Sequence, residues 1–398
     1  MLGRLSALSL LGLALWSAAA APAAAMPAPQ DATKPDAKPA VPPEPPEGLG
    51  EAAASLDGME WLQGKAITQY KRGETYLIVF LNTGSAATPR MLREMLALQA
   101  AHAKDRLQII GLCLKQSPQV EPAATYLKRR PEAAKLMIAR DKADATQKAW
   151  KKLIGEFGDK TAVLVDKKGK VAWHGGVFAD LPAAIPAVLA DDAATLTKLV
   201  DARRTIEESA KTQFDALNKS ISAKAWDKVV TAADAILALD PRAYASTGVS
   251  KYKALVYAGK KAEATAYGKE LVAGPLHDDE GALNELGWWI VDPDGKIADS
   301  ARDLEVAMAA AERSCELGSQ QDAAVLDTLA RVHWRLGHRD QALEMQKKAL
   351  SLAFGSETKS ALQKSLDEYL KPPAPKPDVP ASGTPAPPAG ASPTPPAP

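Results

Sequence analysis

The first half of the chain alternates between short apolar segments and amphipathic ones. Residues 76–81 and 107–114 contain no charged side chain, which is typical of strands buried on both faces of a sheet. Between these two segments, apolar side chains recur at helical spacing, at Met91, Leu92, Met95, Leu96 and Leu98. The alternation extends over residues 56–191 and predicts a mostly parallel sheet with helices on both faces.

The remaining elements of this half follow from the same pattern. We expect helices over 120–128 and 145–152, and strands over 136–139, 162–166 and 171–175. Gly169 lies in the turn of the hairpin that joins the last two strands. A closing helix begins at Asp180 and should bend at Pro186, because proline lacks the N–H that continues a helix.

From about residue 195 the strand pattern stops and the chain becomes helical, with internal repetition at a period near 34 residues. The clearest unit, 324–350, resembles a tetratricopeptide repeat, with Gly337 in its turn. Further units are expected at 226–241, 243–271 and 282–317, and a last helix at 358–369 should cap the stack. Small residues predict close helix packing at Ala264, Ala307, Ala342 and Ala349. An ordinary helical bundle is the alternative interpretation.

The turn after the first buried strand carries a family resemblance. Its sequence is Asn-Thr-Gly-Ser-Ala-Ala-Thr, and the hairpin further on reads VLVDKKGKVAWHG. Together they resemble the thioredoxin-like redoxin (TlpA-type) family, whose members carry two cysteines in the turn and a cis-proline before the hairpin. Laid on that pattern, Ser85 and Thr88 occupy the cysteine positions and Lys160 the cis-proline position. The resemblance implies a thioredoxin-like α/β fold with a degenerate active site.

These replacements affect the chemistry directly. Thiol–disulfide exchange requires a thiolate nucleophile and a sulfur leaving group, and the hydroxyls of Ser85 and Thr88 supply neither. Ser85 should instead accept a hydrogen bond from an orphan N–H at the start of the following helix. We therefore expect no catalytic residues here and a redox-inactive protein. The alternative is an oxidoreductase that uses Cys113 or the thiols of a partner.

Only two cysteines are present, and both lie in segments that should pack in a core. Cys113 shares a strand face with Ile109, and Cys315 lies on a helix; a disulfide between such distant, buried positions is not the expected arrangement. His333 and His338 are five residues apart, which does not place them on one helix face. The sequence predicts no metal site and no cofactor.

The two ends of the chain differ from its middle. We expect a signal peptide over 1–25, a Pro/Ala-rich linker over 26–50, a thioredoxin-like domain over 51–192, a helical repeat domain over 195–370 and a Pro-rich tail over 371–398. The protein should therefore be exported to the periplasm, cell envelope or extracellular space. A membrane tether is expected only if the signal segment stays uncleaved.

Charge and repeat position together indicate the partner. Lysine and arginine number 49 and acidic residues 48, which does not favour a nucleic-acid groove. Tetratricopeptide repeats bind peptides or proteins on the concave face of their first helices. By repeat position, this implied groove contains Asn284, Trp288, Asp327, Arg331 and Trp334. For the two tryptophans, a place in the core is an equal alternative.

Overall fold

The computed structural model describes residues 48–141 and 144–371. The expected signal peptide, almost all of the expected linker and the Pro-rich tail beyond Lys371 lie outside the described residues. All described residues belong to one compact unit. Among the described residues, no helix combines the length and the apolar character that a membrane span requires.

A six-stranded mixed sheet organises the first part of the chain. Its strands are β1 Met59–Gln63, β2 Thr75–Leu81, β3 Leu107–Cys113, β4 Met137–Asp141, β5 Thr161–Val165 and β6 Val171–Gly176. Their order in the sheet is β1-β4-β3-β2-β5-β6. β2, β3 and β4 are parallel, while β1, β5 and β6 pair antiparallel with their neighbours. This is the predicted thioredoxin-like fold, but the expectation of a mostly parallel sheet is wrong, because three of the five strand pairings are antiparallel. The edge strand β1 was not predicted from the sequence, because all five of its residues are half-buried and show no alternation.

Helices cover both faces of this sheet. They are α1 Thr88–Ala101, α2 Ala123–Lys128, α3 Ala145–Ile154 and α4 Leu181–Leu189, with a short 3-10 helix at Pro131–Lys135. Alternate residues of β2 divide between the faces: Leu77 packs with α1 and α4, and Phe80 packs with Trp150 of α3. The helix predicted over 120–128 begins only at Ala123, because Pro122 has extended backbone angles. α4 continues through Pro186.

The rest of the described chain is helical, as predicted. Its helices are α5 Ala193–Ser222, α6 Trp226–Leu239, α7 Thr247–Tyr257, α8 Lys261–Ala273, α9 Glu280–Val291, α10 Leu304–Leu317, α11 Ala323–Leu336, α12 Arg339–Leu352 and α13 Ser356–Leu370. The 30-residue α5 joins the two parts of the molecule, because its first turns pack on the thioredoxin-like core through Leu196, Leu199 and Val200.

Small residues and left-handed glycines build the helical stack. Ala264, Ala307, Ala342 and Ala349 are at most 2% exposed, so the helices approach closely at these positions as predicted. Gly337 has φ +80° in the turn between α11 and α12, a backbone conformation that side chains disfavour. Most consecutive helices pack against one another, and α8 packs on α7 and α10 instead of on α9, which is compatible with a helical repeat domain.

Candidate functional site

The two hydroxyl side chains at the predicted dithiol positions, Ser85 and Thr88, lie in different environments. Thr88 is 1% exposed, and its Oγ1 donates to the carbonyl oxygen of Asn82 at 2.5 Å. Ser85 is half-buried, and its Oγ accepts a hydrogen bond from the N–H of Ala87 at 3.3 Å. Ser85 therefore caps a turn within the loop. The expectation that it caps the helix is wrong, because α1 begins three residues later, at Thr88, without a side-chain cap.

Lys160 stands at the end of the loop before β5 with its side chain exposed. It has φ +74°, which is uncommon for a residue other than glycine, and its carbonyl oxygen accepts from the N–H of Val177 at 2.8 Å. Every peptide bond of the described residues is trans. The three degenerate positions thus carry two hydroxyls and an ammonium group, and none of these groups can act as a thiolate.

Neither cysteine compensates for the missing dithiol. Cys113 lies opposite Leu81 in the sheet and is 3% exposed, and its burial raises the pKa of its thiol to about 12. Burial likewise raises the pKa of the Cys315 thiol to about 12. Both cysteines are free, so the disulfide between them does not form in this structure. Cys113 is not accessible beside Ser85, so it does not support the oxidoreductase interpretation; the use of a partner's thiols stays a prediction.

The first turn of α9 packs directly on the degenerate loop. A Cβ atom built on Gly281 would lie 2.7 Å from the Cβ of Ala86 and closer still to the carbonyl oxygen of Ala86. Real Cβ atoms do not tolerate such distances, so only glycine allows this approach. The helical domain therefore contacts the edge of the sheet that carries Ser85 and Thr88.

Two arginines on the outward face of α1 bind the acidic start of α9. Arg90 contacts Asp279 at 2.8 Å, and its guanidinium lies 4.0 Å above the ring of Phe178. One turn further along α1, Arg93 contacts Glu280 at 3.2 Å. Carboxylates at a helix N-terminus are favoured by the helix dipole, so these contacts complement the end of α9 in both charge and position.

A buried ion pair lies beneath this contact. Arg130 is 3% exposed and Glu280 2% exposed, and their side chains are 3.3 Å apart. Asp322 lies 3.7 Å from the same guanidinium, which also stacks 4.7 Å from the ring centre of Tyr126. Burial raises the pKa of Glu280, while the positive charges of Arg130 and Arg93 oppose that rise. The pair connects the thioredoxin-like part to the helical part through charges that have little access to water.

We call this set the docking cluster: Arg90, Arg93, Arg130, Asp279, Glu280 and Asp322. No pattern in the sequence indicated it. Its only traces in the sequence are the acidic triplet at 278–280, the basic pair at 129–130 and two arginines three residues apart on the polar face of α1. Opposite charges on distant segments do not indicate which segments meet.

A second candidate site is a cleft of about 430 Å³ at the far end of the helical stack. We call it the terminal cleft; its lining residues are Pro293, Asp299, Arg302, Leu304, Arg331, Trp334, Arg335 and Glu368. It brings together two of the five predicted groove residues, Arg331 and Trp334. Asn284, Trp288 and Asp327 are not among its lining residues. Asn284 is buried, and Trp288 and Asp327 are half-buried.

The structure gives Arg331 an internal role. Its side chain is buried, its Nη1 lies 3.0 Å from both carboxylate oxygens of Glu368, and its Nη2 donates to Ser365 at 3.3 Å. Arg331 thus holds α13 against α11. Trp334 is half-buried and stacks on Tyr369 with ring centres 4.7 Å apart, so it belongs partly to the core and partly to the cleft.

The other two arginines of the terminal cleft donate hydrogen bonds to backbone carbonyl oxygens at the end of α9. Arg302 donates to the carbonyl oxygen of Ile290 at 2.5 Å, and Arg335 donates to that of Val291 at 2.9 Å. Both also contact Asp299, at 3.0 and 3.1 Å. Burial lowers the pKa of Arg335, and the positive charge of Arg302 lowers it further. The cleft therefore concentrates guanidinium groups beside an aromatic ring.

His333 and His338 are closer than their sequence spacing indicated. His338 precedes α12 and does not lie on α11, and its Nδ1 is 3.4 Å from the Nδ1 of His333. Burial and the neighbouring histidine lower the pKa of His333. Over residues 48–141 and 144–371 no group of three or more potential ligands is arranged to hold a metal ion.

Comparison with known proteins gives similarity at the level of structure only. No protein-family model matches the chain, and no curated sequence matches it. A thioredoxin-like protein in its oxidised form is 15% identical, with coverage of 37% of this chain and 97% of that chain and a TM-score of 0.29. A putative thiol:disulfide interchange protein, DsbE, from Chlorobium tepidum is 21% identical over 35% of this chain and 99% of that chain, with a TM-score of 0.29. The MamA protein is 20% identical over 41% of this chain and 87% of that chain, with a TM-score of 0.27. Because these scores are low, no functional argument rests on them.

Proposed function

We propose that this protein is a redox-inactive, exported member of the redoxin (TlpA-type) lineage that binds a protein or peptide partner through its tetratricopeptide-like helical domain. The thioredoxin-like part acts as a platform that holds the helical domain in a fixed orientation. The protein would thus serve as a binding or scaffolding module of the cell envelope.

One observation carries this proposal: the edge at position 85 has no accessible thiol and is in contact with the helical domain. Thr88 is buried, Cys113 is 3% exposed, and α9 packs on Ala86. Contact with α9 occupies part of this edge, although Gly84 and Ala86 stay exposed. The helical domain, in contrast, offers the terminal cleft.

The export assignment rests on the sequence. Arg4, the apolar run at 5–16 and the alanines at 23–25 have the order of a secretory signal. These residues lie outside the described ones. Two buried free cysteines are compatible with an oxidising compartment, because neither thiol is available for mispairing.

The proposal is tested by two measurements on the full chain. The purified protein should not accelerate the reduction of insulin by dithiothreitol, and a Cys113→Ala variant should behave identically. Activity above that of the variant would overturn the redox assignment.

Partner binding is tested by capture from envelope extract on immobilised full chain. Trp334→Phe should weaken the capture of the partner, because aromatic anchors dominate many interfaces. The matched control is Trp226→Phe: Trp226 is also half-buried and also stacked 4.7 Å from a tyrosine ring, but it does not line the terminal cleft. Equal capture by both variants would place the binding surface elsewhere.

A further inference from the structure

The described chain ends at the rim of the terminal cleft. Glu368, in the last turn of α13, lines the cleft, and the next residue, Tyr369, stacks on Trp334. Arg339 then holds the exit of the chain, because its Nη2 donates to the carbonyl oxygens of Leu370 at 2.9 Å and Lys371 at 2.6 Å. The same guanidinium lies 6.0 Å from the ring centre of Trp334. The segment beyond Lys371 therefore starts beside the aromatic group of the cleft.

That segment, 372–398, is rich in proline and carries few charges. Prolines recur three positions apart, at Pro372 and Pro375, at Pro377 and Pro380, and at Pro385 and Pro388. A polyproline II helix has three residues per turn, so in that conformation the two prolines of each pair would lie on one face, with a different face for each pair. Such segments bind grooves lined by aromatic side chains at a small entropic cost, because they are already extended before they bind.

The terminal cleft has the features that a proline-rich segment needs. Trp334, Leu304 and Pro293 give it apolar surface, and its volume of about 430 Å³ falls in the usual range of ligand sites. The arginines of the lining already donate within the chain, so the surface that the cleft offers to a polyproline helix is chiefly aromatic and apolar. Two large apolar side chains that are close to the lining residues in the sequence are exposed. Leu336, at the end of α11, is 39% exposed, and Leu370, at the end of α13, is 53% exposed.

We propose that the proline-rich segment 372–398 of the same chain folds back and occupies the terminal cleft, so that an external partner must displace it. The segment is tethered at the rim, which gives it an effective concentration in the millimolar range even if its intrinsic affinity is low. The proline-rich residues before 48 are a poorer candidate, because Gly48 packs against Leu153 on α3 of the thioredoxin-like part. This inference rests on the proposed function in one respect: it takes the terminal cleft as the partner site.

The experiment uses contact quenching of a fluorophore by tryptophan in the full chain. Both native cysteines are 3% exposed, so Ser382→Cys provides a single reactive thiol for a bimane label. If the segment occupies the cleft, Trp334→Phe should increase the bimane emission severalfold. Trp226→Phe, the matched variant, should leave the emission unchanged. An excess of synthetic peptide with the sequence 372–398 should also increase the emission of the labelled Ser382→Cys protein in which both tryptophans are unchanged. This readout does not depend on the folding of the tryptophan variants.

Equal emission of the two tryptophan variants, with no response to the peptide, would overturn the inference. Quenching that disappears on dilution would also overturn it, because it would assign the contact to a second copy. Failure here is distinguishable from failure of the proposed function. If a partner is captured through Trp334 but the bimane label is not quenched, the proposed function stands and the inference fails. If the label is quenched but no partner is captured, the inference alone is supported.

Discussion

The docking cluster makes a strong prediction at Arg130. In the Arg130→Ala variant, Glu280 stays 2% exposed but loses the partner 3.3 Å away. Removing one member of a buried ion pair typically costs about 3–5 kcal/mol, because it leaves an uncompensated charge. Arg93 still contacts Glu280 at 3.2 Å, which places the expected loss near the lower end. The lost stacking on Tyr126 adds about 1 kcal/mol. We therefore expect a decrease of about 3–4 kcal/mol in the free energy of unfolding.

Urea unfolding at neutral pH measures this loss, with Arg140→Ala as the matched control. Arg140 pairs with Glu60 at 2.6 Å, but both side chains are substantially exposed, at 45% and 32%. Surface pairs of this kind contribute about 0–1 kcal/mol. The double variant Arg130→Met, Glu280→Met should be less destabilised than Arg130→Ala, because it removes both buried charges.

The pH dependence gives a second readout of the same variant. The native pKa of Glu280 is raised, so the folded protein holds a proton there more tightly than the unfolded chain does. Stability from this group is therefore greatest below the unfolded pKa and decreases as the pH rises through the native pKa. Without Arg130 the rise in pKa is larger, so the cost of Arg130→Ala should shrink on acidification. A loss no larger than that of Arg140→Ala, or one that grows on acidification, would refute this account of the cluster.

Three further predictions concern the degenerate loop and the last repeat. The Ser85→Cys, Thr88→Cys double variant should form a disulfide but reduce insulin far more slowly than an ordinary thioredoxin, because the proline that lines the substrate edge is absent; ordinary turnover would contradict this. Arg331→Ala should lower the free energy of unfolding, measured in urea, by about 2 kcal/mol, because charged hydrogen bonds are lost. Unchanged stability would instead support the prediction that Arg331 is an exposed groove residue. Because the pKa of His333 is lowered in the folded protein, its free energy of unfolding should fall as the pH drops below about 6.5. The His338→Gln variant should show a smaller fall in urea unfolding measured at several pH values. An equal fall in both proteins would exclude the histidine pair as its origin.

The sequence predicts the fold where a single physical effect dominates. β2 and β3 are buried on both faces, so their uninterrupted apolar runs identify them. Helix spacing and the turn glycine at Gly337 identify the pair α11 and α12 in the same way. β1 escapes prediction because an edge strand with half-buried residues carries no periodic pattern. Ser85 was placed too close to the helix because the sequence does not specify where the turn ends.

The sites depend on contacts between distant segments, and the sequence predicts these less well. The missing thiols are evident from Ser85 and Thr88 alone. In contrast, nothing near Glu280 in the sequence indicates that it meets Arg130, because the two are 150 positions apart. Arg331 was assigned to the groove by its repeat position, whereas α13, two helices further along the chain, places Glu368 against it. Repeat position identifies a face of a helix, but it does not reveal what the chain later packs on that face.

Gly281 provides the last test, because it separates contact at the degenerate loop from the charges of the docking cluster. Glycine within a helix is usually less stable than alanine by about 1 kcal/mol, so Gly281→Ala would be stabilising if the site were open. Here the new Cβ would lie 2.7 Å from the Cβ of Ala86, and the obstruction includes backbone that cannot rotate away. We expect the variant to be less stable than the wild type and to lift α9 from the loop. Gly287→Ala in the same helix is the control, because its Cβ would meet nothing closer than the side-chain methyl of Thr328, at 3.2 Å, and backbone atoms only at ordinary contact distances of 3.5 Å or more. In a Ser85→Cys background the thiol should react faster with a disulfide reagent when Gly281→Ala is present, while Gly287→Ala leaves the rate unchanged. A stabilised Gly281→Ala variant with an unchanged rate would mean that α9 does not restrict access to the loop.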